Sequence, residues 1–286
     1  MKILIVGQTS FVGQGVGNWF RKKAPVPQVD FLSVRDDLWR TRDFSGYDAV
    51  IFAAALVHHP EVTDWELYHR INVQLPLDFA EHVKVQGVKQ FVFFSTLSVY
   101  RAERTLPEGT IIDENTPLEP LSLYGKSKLM AEHRLQQLQT GDFHVSIVRS
   151  SYVYGRGCQG RHLDVKALLA RKLPLLPDAF GNVKMGMVHI DNLAQLCWLI
   201  VNSGCSGVYH AQDRDPMSTT DILRALAPEK KSIRCGWLLR PFGRMSLLNR
   251  LFGGVAFSEE LSQCPLGEYR VVSMADGIRR TMEETR

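Results

Sequence analysis

The chain has 286 residues, of which 45% are hydrophobic and 22% charged, and carries a formal net charge of +4. That length suits one large domain, or a large domain with a smaller companion, and supplies enough apolar surface for a sizeable core. Lys and Arg are scattered among acids, so no basic stripe points to a nucleic-acid partner. The cysteines at 158, 197, 205, 235 and 264 form no C-x-x-C pair and have no His at zinc-ligand spacing. This argues against a structural metal and for reduced thiols. The apolar run Ile3 to Val6 turns at Gly7, too short for a signal peptide or a membrane span. A cytoplasmic protein without an integral membrane segment is expected.

Apolar runs of strand length alternate with helix-like stretches, the pattern of a parallel sheet covered on both faces. Ile3 to Val6 predicts a first strand, Phe11 to Arg21 the helix behind it, and Val29 to Val34 a second strand. Ala49 to Ala54 is wholly apolar, as a buried parallel strand should be. Asp64 to Val85 predicts a helix kinked or divided at Pro76. Phe91 to Phe94 is a fourth strand running into Ser95-Thr96, and Ser122 to Gln139 a helix ended by Gly141. Val145 to Val148 is a fifth strand. After about Gly155 the pieces shorten: a helix from Leu163 to Lys172, an irregular turn to Pro177, Met187 to Ile190, a helix from Asn192 to Val201 and a strand from Gly207 to His210. The expected fold is α/β, a Rossmann-type doubly wound parallel sheet with a smaller C-terminal mixed α/β lobe. Residues 1–154 form the dinucleotide-binding domain, joined by any strands from later segments, and 155–286 mainly the substrate lobe. Trp237 to Phe257 is apolar and basic. It reads either as a membrane-surface helix or, as the commoner case, as a lobe helix packing its apolar face inward.

Gly7-Gln8-Thr9-Ser10-Phe11-Val12-Gly13 joins the first strand to the first helix. At such a junction the unpaired amides of a helix start face a pyrophosphate, and the helix dipole favours its charge. Gly7 permits the tight turn and Gly13 a close approach of helix and strand, while Ser10 stands where a middle glycine would strengthen the pattern. At the end of the second strand, where an acid would bond ribose hydroxyls, stands Ser33, with Arg35 two residues on. Small polar and Arg residues suit a 2′-phosphate, which favours NADP over NAD. Asp30 and Asp36 fall out of register.

Tyr124-Gly125-Lys126-Ser127-Lys128 places Tyr124 and Lys128 on one helix face, one turn apart. Hydride transfer at a carbinol requires a proton to leave or reach its oxygen, and a phenol near ~10 needs a neighbouring cation to serve at neutral pH. Ser95-Thr96-Leu97-Ser98-Val99-Tyr100 stands at the mouth of the fourth strand, where ligands of open α/β sheets bind. A hydroxyl there can hold the reacting oxygen against Tyr124.

Together these blocks make the chain resemble the extended short-chain dehydrogenase/reductases, specifically the NAD-dependent epimerase/dehydratase family of nucleotide-sugar enzymes. The likeness runs from Met1 to roughly Thr220. It includes Ala53-Ala54-Ala55, Asn72-Val73, Arg149 to Gly155 and Val188-His189-Ile190-Asp191-Asn192. The resemblance implies Thr96 as the catalytic hydroxyl, Tyr124 as acid/base and Lys128 as its helper and a ribose ligand. Asn72 matches an asparagine associated with a helix-held water in a proton relay. Gly7, Thr9, Ser10, Phe11, Val12, Gly13, Ser33, Arg35 and Ala53 to Ala55 are the expected cofactor residues. Ser98, Tyr152, Arg161, Lys184 and Arg214 are candidates for a nucleotide-sugar substrate; no metal is expected. Tyr152 replaces a frequent asparagine, and Met185 an arginine that meets the substrate phosphates, for which Lys184 is the candidate substitute. His58-His59 are weaker candidates near the cofactor, and Cys158, His162 and Arg270 near the substrate.

Family dehydratases carry Asp-Glu after the catalytic Thr; here Leu97-Ser98 follow, and neither titrates usefully. An epimerase or a 4-ketoreductase remains, in surface-polysaccharide sugar synthesis. The alternative is a dinucleotide-binding sensor of the same fold, which would need none of Thr96, Tyr124 and Lys128. The helices around Asp64 to Val85 and Ser122 to Gln139 are where the resemblance implies a homodimer.

Overall fold

Predominantly apolar runs become the buried strands of one sheet, and the segments between them return behind it as helices. The computed structural model describes residues 1–57, 62–158, 161–243 and 245–283, with residues 161, 162, 282 and 283 described by backbone alone. His58, His59 and the side chains of Arg161 and His162, all named above, therefore lie outside the described residues.

β1 (Lys2–Val6) turns tightly into α1 (Phe11–Phe20), and β2 (Gln28–Leu32) and β3 (Ala49–Phe52) follow. A helical run of α2 (Trp65–His69), a π-helical turn (Arg70–Gln74) and α3 (Leu75–Val85) precedes β4 (Gln90–Thr96). Short β5 (Thr110–Ile112) and α4 (Leu123–Gln137) lead to β6 (His144–Ser150) and β7 (Tyr152–Tyr154). Then come α5 (Arg161–Lys172), β8 (Leu176–Asp178), β9 (Lys184–Met185), β10 (Met187–His189), α6 (Ile190–Ser203) and β11 (Gly207–Ala211). The chain closes with β12 (Met217–Ser218), α7 (Thr219–Leu226), β13 (Ser232–Arg234), α8 (Gly236–Leu239), α9 (Ser246–Phe252), β14 (Val255–Phe257) and α10 (Met274–Glu283).

Six parallel strands form the central sheet in the order β11-β6-β4-β3-β1-β2. The chain winds outward from β1 to β2, then crosses back to β3 on the other side, so β1 and β3 flank a switch point where a crevice opens beyond the strand ends. Val6 is level with Leu32 and Phe52, and Phe52 with Phe93. Gly7, Ser33 and Ala53 thus emerge along one edge, and β4 carries Ser95 and Thr96 slightly beyond it. One face of the sheet is covered by α1 and α6 through Val16, Phe20, Leu193 and Ile200, the other by α3 and α4 through Phe79, Val83, Ala131 and Leu135.

Four local expectations are corrected. The predicted kink at Pro76 is a π-helical turn over Arg70–Gln74, with Pro76 in the first turn of α3. A proline cannot donate to the carbonyl four residues back, and the ladder shifts by one residue to absorb the loss. α4 ends at Gln137, two residues short of the Gln139 expected, and Lys84 Nζ donates to the Leu138 carbonyl at 2.7 Å, satisfying a terminal acceptor there. Within 155–286, α6 packs on α1 and so lies in the sheet layer rather than the smaller lobe, beside β11, a later strand that joins the sheet by pairing with β6. Trp237 to Phe257 is not one helix with a buried face but α8, a 3-10 turn at Arg240–Phe242, α9 and β14, punctuated by Pro241, Gly243 and Gly253-Gly254.

A buried clasp fastens the lobe to this layer. Asn192, at the start of α6, donates to Asp213 Oδ1 and the Val272 carbonyl, both at 2.7 Å, and accepts from Val271 and Val272 N–H at 2.7 and 2.8 Å. Asp213 also accepts from His189 N–H at 3.0 Å and the Tyr154 hydroxyl at 2.7 Å. His189 Nδ1 caps α6 by accepting from Asp191 N–H at 3.2 Å. Burial pushes the Asp213 carboxyl up to about 6 in spite of these donors. Asn192→Ala orphans buried backbone groups at both lobe ends, so it is expected to lower stability by about 2–4 kcal/mol in urea unfolding. A loss below the scatter of surface substitutions would show that the clasp does not hold the lobe.

Candidate active site

The turn after β1 is shaped for close approach. Gly7 has φ +112°, and a Cβ there would lie 2.9 Å from the Ala54 backbone nitrogen. Gly7 and Gln8 N–H both donate to the Leu32 carbonyl, at 2.8 and 3.2 Å, which stitches the turn to the end of β2. Ser10 caps α1, its hydroxyl accepting from Gly13 N–H at 3.3 Å. The amides of Phe11 and Val12 stand in the first turn, where a helix offers no internal acceptor. Arg35 reaches back from beyond β2 to donate to Thr9 Oγ1 at 3.2 Å, and its own N–H meets Ser33 Oγ at 3.4 Å. Asp30 is engaged by Tyr47 at 2.8 Å, and Asp36 caps the turn after it, so neither carboxylate serves this corner. Ala53 and Ala54 are half-buried beside Gly7, and Ala55 is exposed.

The second half of the site forms where α4 meets the end of β4. Ser122 caps α4 through Gly125 N–H at 3.0 Å. Gly125 then lets the helix start abut the loop after β4, since a Cβ there would run into the Ser98 carbonyl. That contact brings the Tyr124 hydroxyl beside the Thr96 side chain, which acts to lower the phenol's pKa. Thr96 Oγ1 donates to Ser98 Oγ at 3.3 Å and accepts from Ser98 N–H at 3.2 Å. Burial, with Tyr68 nearby, pushes the Tyr124 phenol up to about 12 against the Thr96 side chain that lowers it. Lys128 is buried, donates to the Phe94 carbonyl at 2.8 Å, and sits over the Phe93 ring. Burial lowers it to about 7, opposed by Glu132. Burial, Tyr68 and Thr96 set the Tyr124 shift, with no contribution from Lys128 in the unliganded protein, and one of the three Lys128 donors is taken by the Phe94 carbonyl.

Asn72 lies in the π-helical turn. Its Oδ1 accepts from Leu56 N–H at 2.8 Å, and its Nδ2 donates to the Leu56 carbonyl at 2.9 Å and Ser127 Oγ at 3.1 Å. It binds the loop after β3 to the middle of the Tyr124–Lys128 turn. Beneath Lys128 lies a network that sequence reasoning missed. Glu132 receives three contacts of 2.6–3.2 Å from Arg149 and a short one from the Ser95 hydroxyl. Arg149 also donates to the Tyr100 hydroxyl at 2.7 Å, which meets His210 Nε2 at 2.7 Å. The available signal was the four-residue spacing of Tyr124, Lys128 and Glu132, which puts all three on one helix face.

The substrate candidates are only partly assembled. Ser98 adjoins Thr96. Tyr152 is half-buried, its hydroxyl accepting from Arg104 Nε at 3.2 Å. Lys184 is drawn to Asp221 at 3.2 Å, and Arg214 to Glu268 at 2.5 Å on the exposed surface. Arg270 is held by Glu259 and the Ser262 carbonyl, and the Cys158 thiol by the Val153 carbonyl. Among the described residues no group of His, Cys, Asp and Glu side chains could hold a metal.

The model of the NAD dependent epimerase/dehydratase family matches residues 3–210. An N-acetyl-α-D-glucosaminyl-diphospho-ditrans,octacis-undecaprenol 4-epimerase of Escherichia coli O157:H7 is 24% identical, over 95% of this chain and 83% of its own. A UDP-glucose 4-epimerase of Vibrio cholerae is 25% identical, over 98% and 94%. Among solved structures, a UDP-glucuronic acid 4-epimerase from Bacillus cereus in complex with NAD superposes with a TM-score of 0.74 at 19% identity, covering 99% of this chain and 96% of that one. A human epimerase family protein with NADPH gives 0.75 at 16%, covering 99% of each.

Lys128 supplies a pH test. Unfolded, it keeps its proton to about 10.5; folded, it releases it near 7. The unfolded chain thus binds more protons between those values, and the contribution of this position to stability rises with pH across that window. Lys128→Met is expected to raise the urea midpoint most below pH 7, and the gain should shrink as pH climbs. A gain that grew with pH would contradict the burial argument.

Proposed function

Because the chain belongs to the NAD-dependent epimerase/dehydratase family, we propose that it is a nucleotide-sugar epimerase working by hydride transfer at a sugar carbinol. The observation carrying this reading is the placement of Tyr124 beside Thr96 at the end of β4, with Lys128 one turn along α4 and the Gly7–Gly13 turn on the same sheet edge. The Gly7 cradle, the Phe11 and Val12 amides, Thr9, Ser10, Gly13, Ser33, Arg35 and Ala53 to Ala55 would hold the dinucleotide, and Lys128 its nicotinamide ribose. When bound, an oxidised nicotinamide accepts the carbinol hydride, and its positive charge favours the phenolate. Tyr124 takes the hydroxyl proton and returns it after the ketosugar has presented its other face. Thr96 holds the same oxygen, and Ser98 and Tyr152 line the sugar's approach. Asn72 acts as a positioning residue, fixing the helix turn that carries both catalytic groups. Lys184 and Arg214, engaged with carboxylates, are weaker substrate ligands than their sequence positions suggest.

Ser33 and Arg35 favour NADP at the adenine end, and a single reduction of a 4-keto sugar is the second reading those residues support. The E. coli relative acts on a lipid-linked sugar, in keeping with a place in surface-polysaccharide synthesis. The five cysteines are all unpaired, which suits the reducing conditions of a cytoplasmic location.

Releasing and identifying cofactor from purified protein tests the proposal. Near-stoichiometric dinucleotide is expected of an epimerase; an empty site preferring NADPH would favour the reductase, and failure to bind either would end both readings. Tyr124→Phe should keep the cofactor and lower turnover by about 10²–10⁴. Unchanged function in that variant would leave the sensor reading. A homodimer belongs to the same proposal. Trp65, Leu123, Leu129 and Met130 line a shallow groove of about 720 Å³ on the outer faces of α2 and α4, suited to a second copy. Met130→Glu is expected to shift a dimer to monomer in analytical ultracentrifugation; a parent that already sediments as a monomer removes it.

A further inference from the structure

The smaller lobe carries an apolar surface that catalysis does not use. The segment around α8 and α9 turns Leu239, Leu248, Leu251 and Phe252 inward, against Ala179, Phe180 and Val183. Its other side faces water: Trp237 is 76% exposed, Leu247 60%, and Leu238, Phe242 and Met245 each more than half. Isolated exposed apolar residues are ordinary, but five large ones within one short segment form a patch that a soluble surface normally avoids.

The charge around this patch is one-sided. From Lys230 to Ser258 the sequence holds Lys230, Lys231, Arg234, Arg240, Arg244 and Arg250 and no acid. The whole chain carries only +4, so everything outside this segment is net negative. Some arginines elsewhere on the surface stand beside carboxylates, as Arg101 by Glu119, Arg214 by Glu268, Arg224 by Asp178 and Arg279 by Asp276, while others such as Arg42 and Arg171 do not among the described residues. Lys231, Arg234, Arg240 and Arg250 are exposed and make no ion pair among the described residues.

We infer that this face seats the protein on an anionic phospholipid bilayer, with Trp237, Leu238, Phe242, Met245 and Leu247 entering the headgroup boundary and the arginines meeting lipid phosphates. Exposed apolar residues interspersed along the chain with unpaired cations are the composition of an interfacial surface. A second copy of the chain suits it poorly, because the same unmatched cations would face one another across the contact. No helix among the described residues is long and apolar enough to cross a membrane, so the association is peripheral. The face is braced against the substrate side of the lobe. Gly253 lies against Arg104, Thr105 bridges to Gly254, and Arg104 holds Tyr152. The inference rests on exposure and charge, independently of the catalytic reading.

Flotation of the full chain with phosphatidylcholine vesicles, with and without phosphatidylglycerol, tests it. Binding is expected with phosphatidylglycerol and should be about tenfold or more weaker without it. Arg240→Gln with Arg250→Gln should weaken binding by about fivefold per arginine. Trp237→Ser with Phe242→Ser should remove it, while urea midpoints stay at the parent value, since all four side chains are exposed. Absence of binding to phosphatidylglycerol vesicles overturns the proposal, as does equal binding by the variants. So does a concentration-dependent dimer that the Trp237 and Phe242 substitutions abolish, which would assign the patch to a second copy.

Discussion

A single buried carboxylate ties the catalytic helix to the sheet. Glu132 lies at the level of α4 where Lys128 ends, wholly covered, and is bound by Arg149 from β6 and Ser95 from β4. Burying an ion pair rarely adds net stability, but taking away one partner leaves an uncompensated charge and is costly. The pair therefore acts as a register lock: α4 can neither slide along nor rotate on the sheet without separating it. Since Tyr124 and Lys128 stand on the same helix face, their height above Thr96 and Phe94 follows from that lock and from the Gly125 contact at the helix start. Tyr100 and His210 extend the network to β11, with burial and Arg149 lowering His210 to about 4 and keeping it a neutral acceptor.

In the unliganded protein the two proposed catalytic groups lack the charged forms that abstraction of a hydroxyl proton requires. Burial drives both toward neutrality, Tyr124 upward to about 12 and Lys128 downward to about 7. Glu132 works against this for the lysine only. A phenol so placed holds its proton at neutral pH until positive charge arrives beside it. In the proposed mechanism, acid/base competence is consequently coupled to occupancy of the site rather than built into the unliganded protein.

Much of the sheet could be read from the amino acids because parallel strands buried on both faces are near-continuous apolar runs, and Ala49–Phe52 or Gln90–Thr96 admit little else. The Gly7 turn was legible for a similar reason, since few residues tolerate its backbone. What escaped depended on partners distant in sequence. An acid four residues beyond a lysine on a helix usually faces solvent, and only the arrival of Arg149 from β6 makes Glu132 an interior group. Lys184 looked available for phosphate because nothing near it in sequence reveals Asp221. Residues 190–211 fall in the part of the chain expected to be mainly the smaller lobe, yet their apolar faces complete the cover of the sheet and its edge through partners in α1 and β6 that lie far away in sequence.

The segment from Trp237 to Phe257 shows the same limit from another side. Periodicity tells how apolar residues are grouped, but not whether a group faces protein or solvent, and here the chain has both kinds. Leu248, Leu251 and Phe252 close over Phe180 and Val183, which uses up the interior available to the segment and leaves Trp237, Phe242 and Leu247 outside. With cations concentrated there and the remainder of the protein net negative, an anionic surface attracts one face and repels the others. Such an asymmetry fixes orientation as well as affinity, so the lobe bearing Tyr152 would meet the proposed membrane in one defined pose.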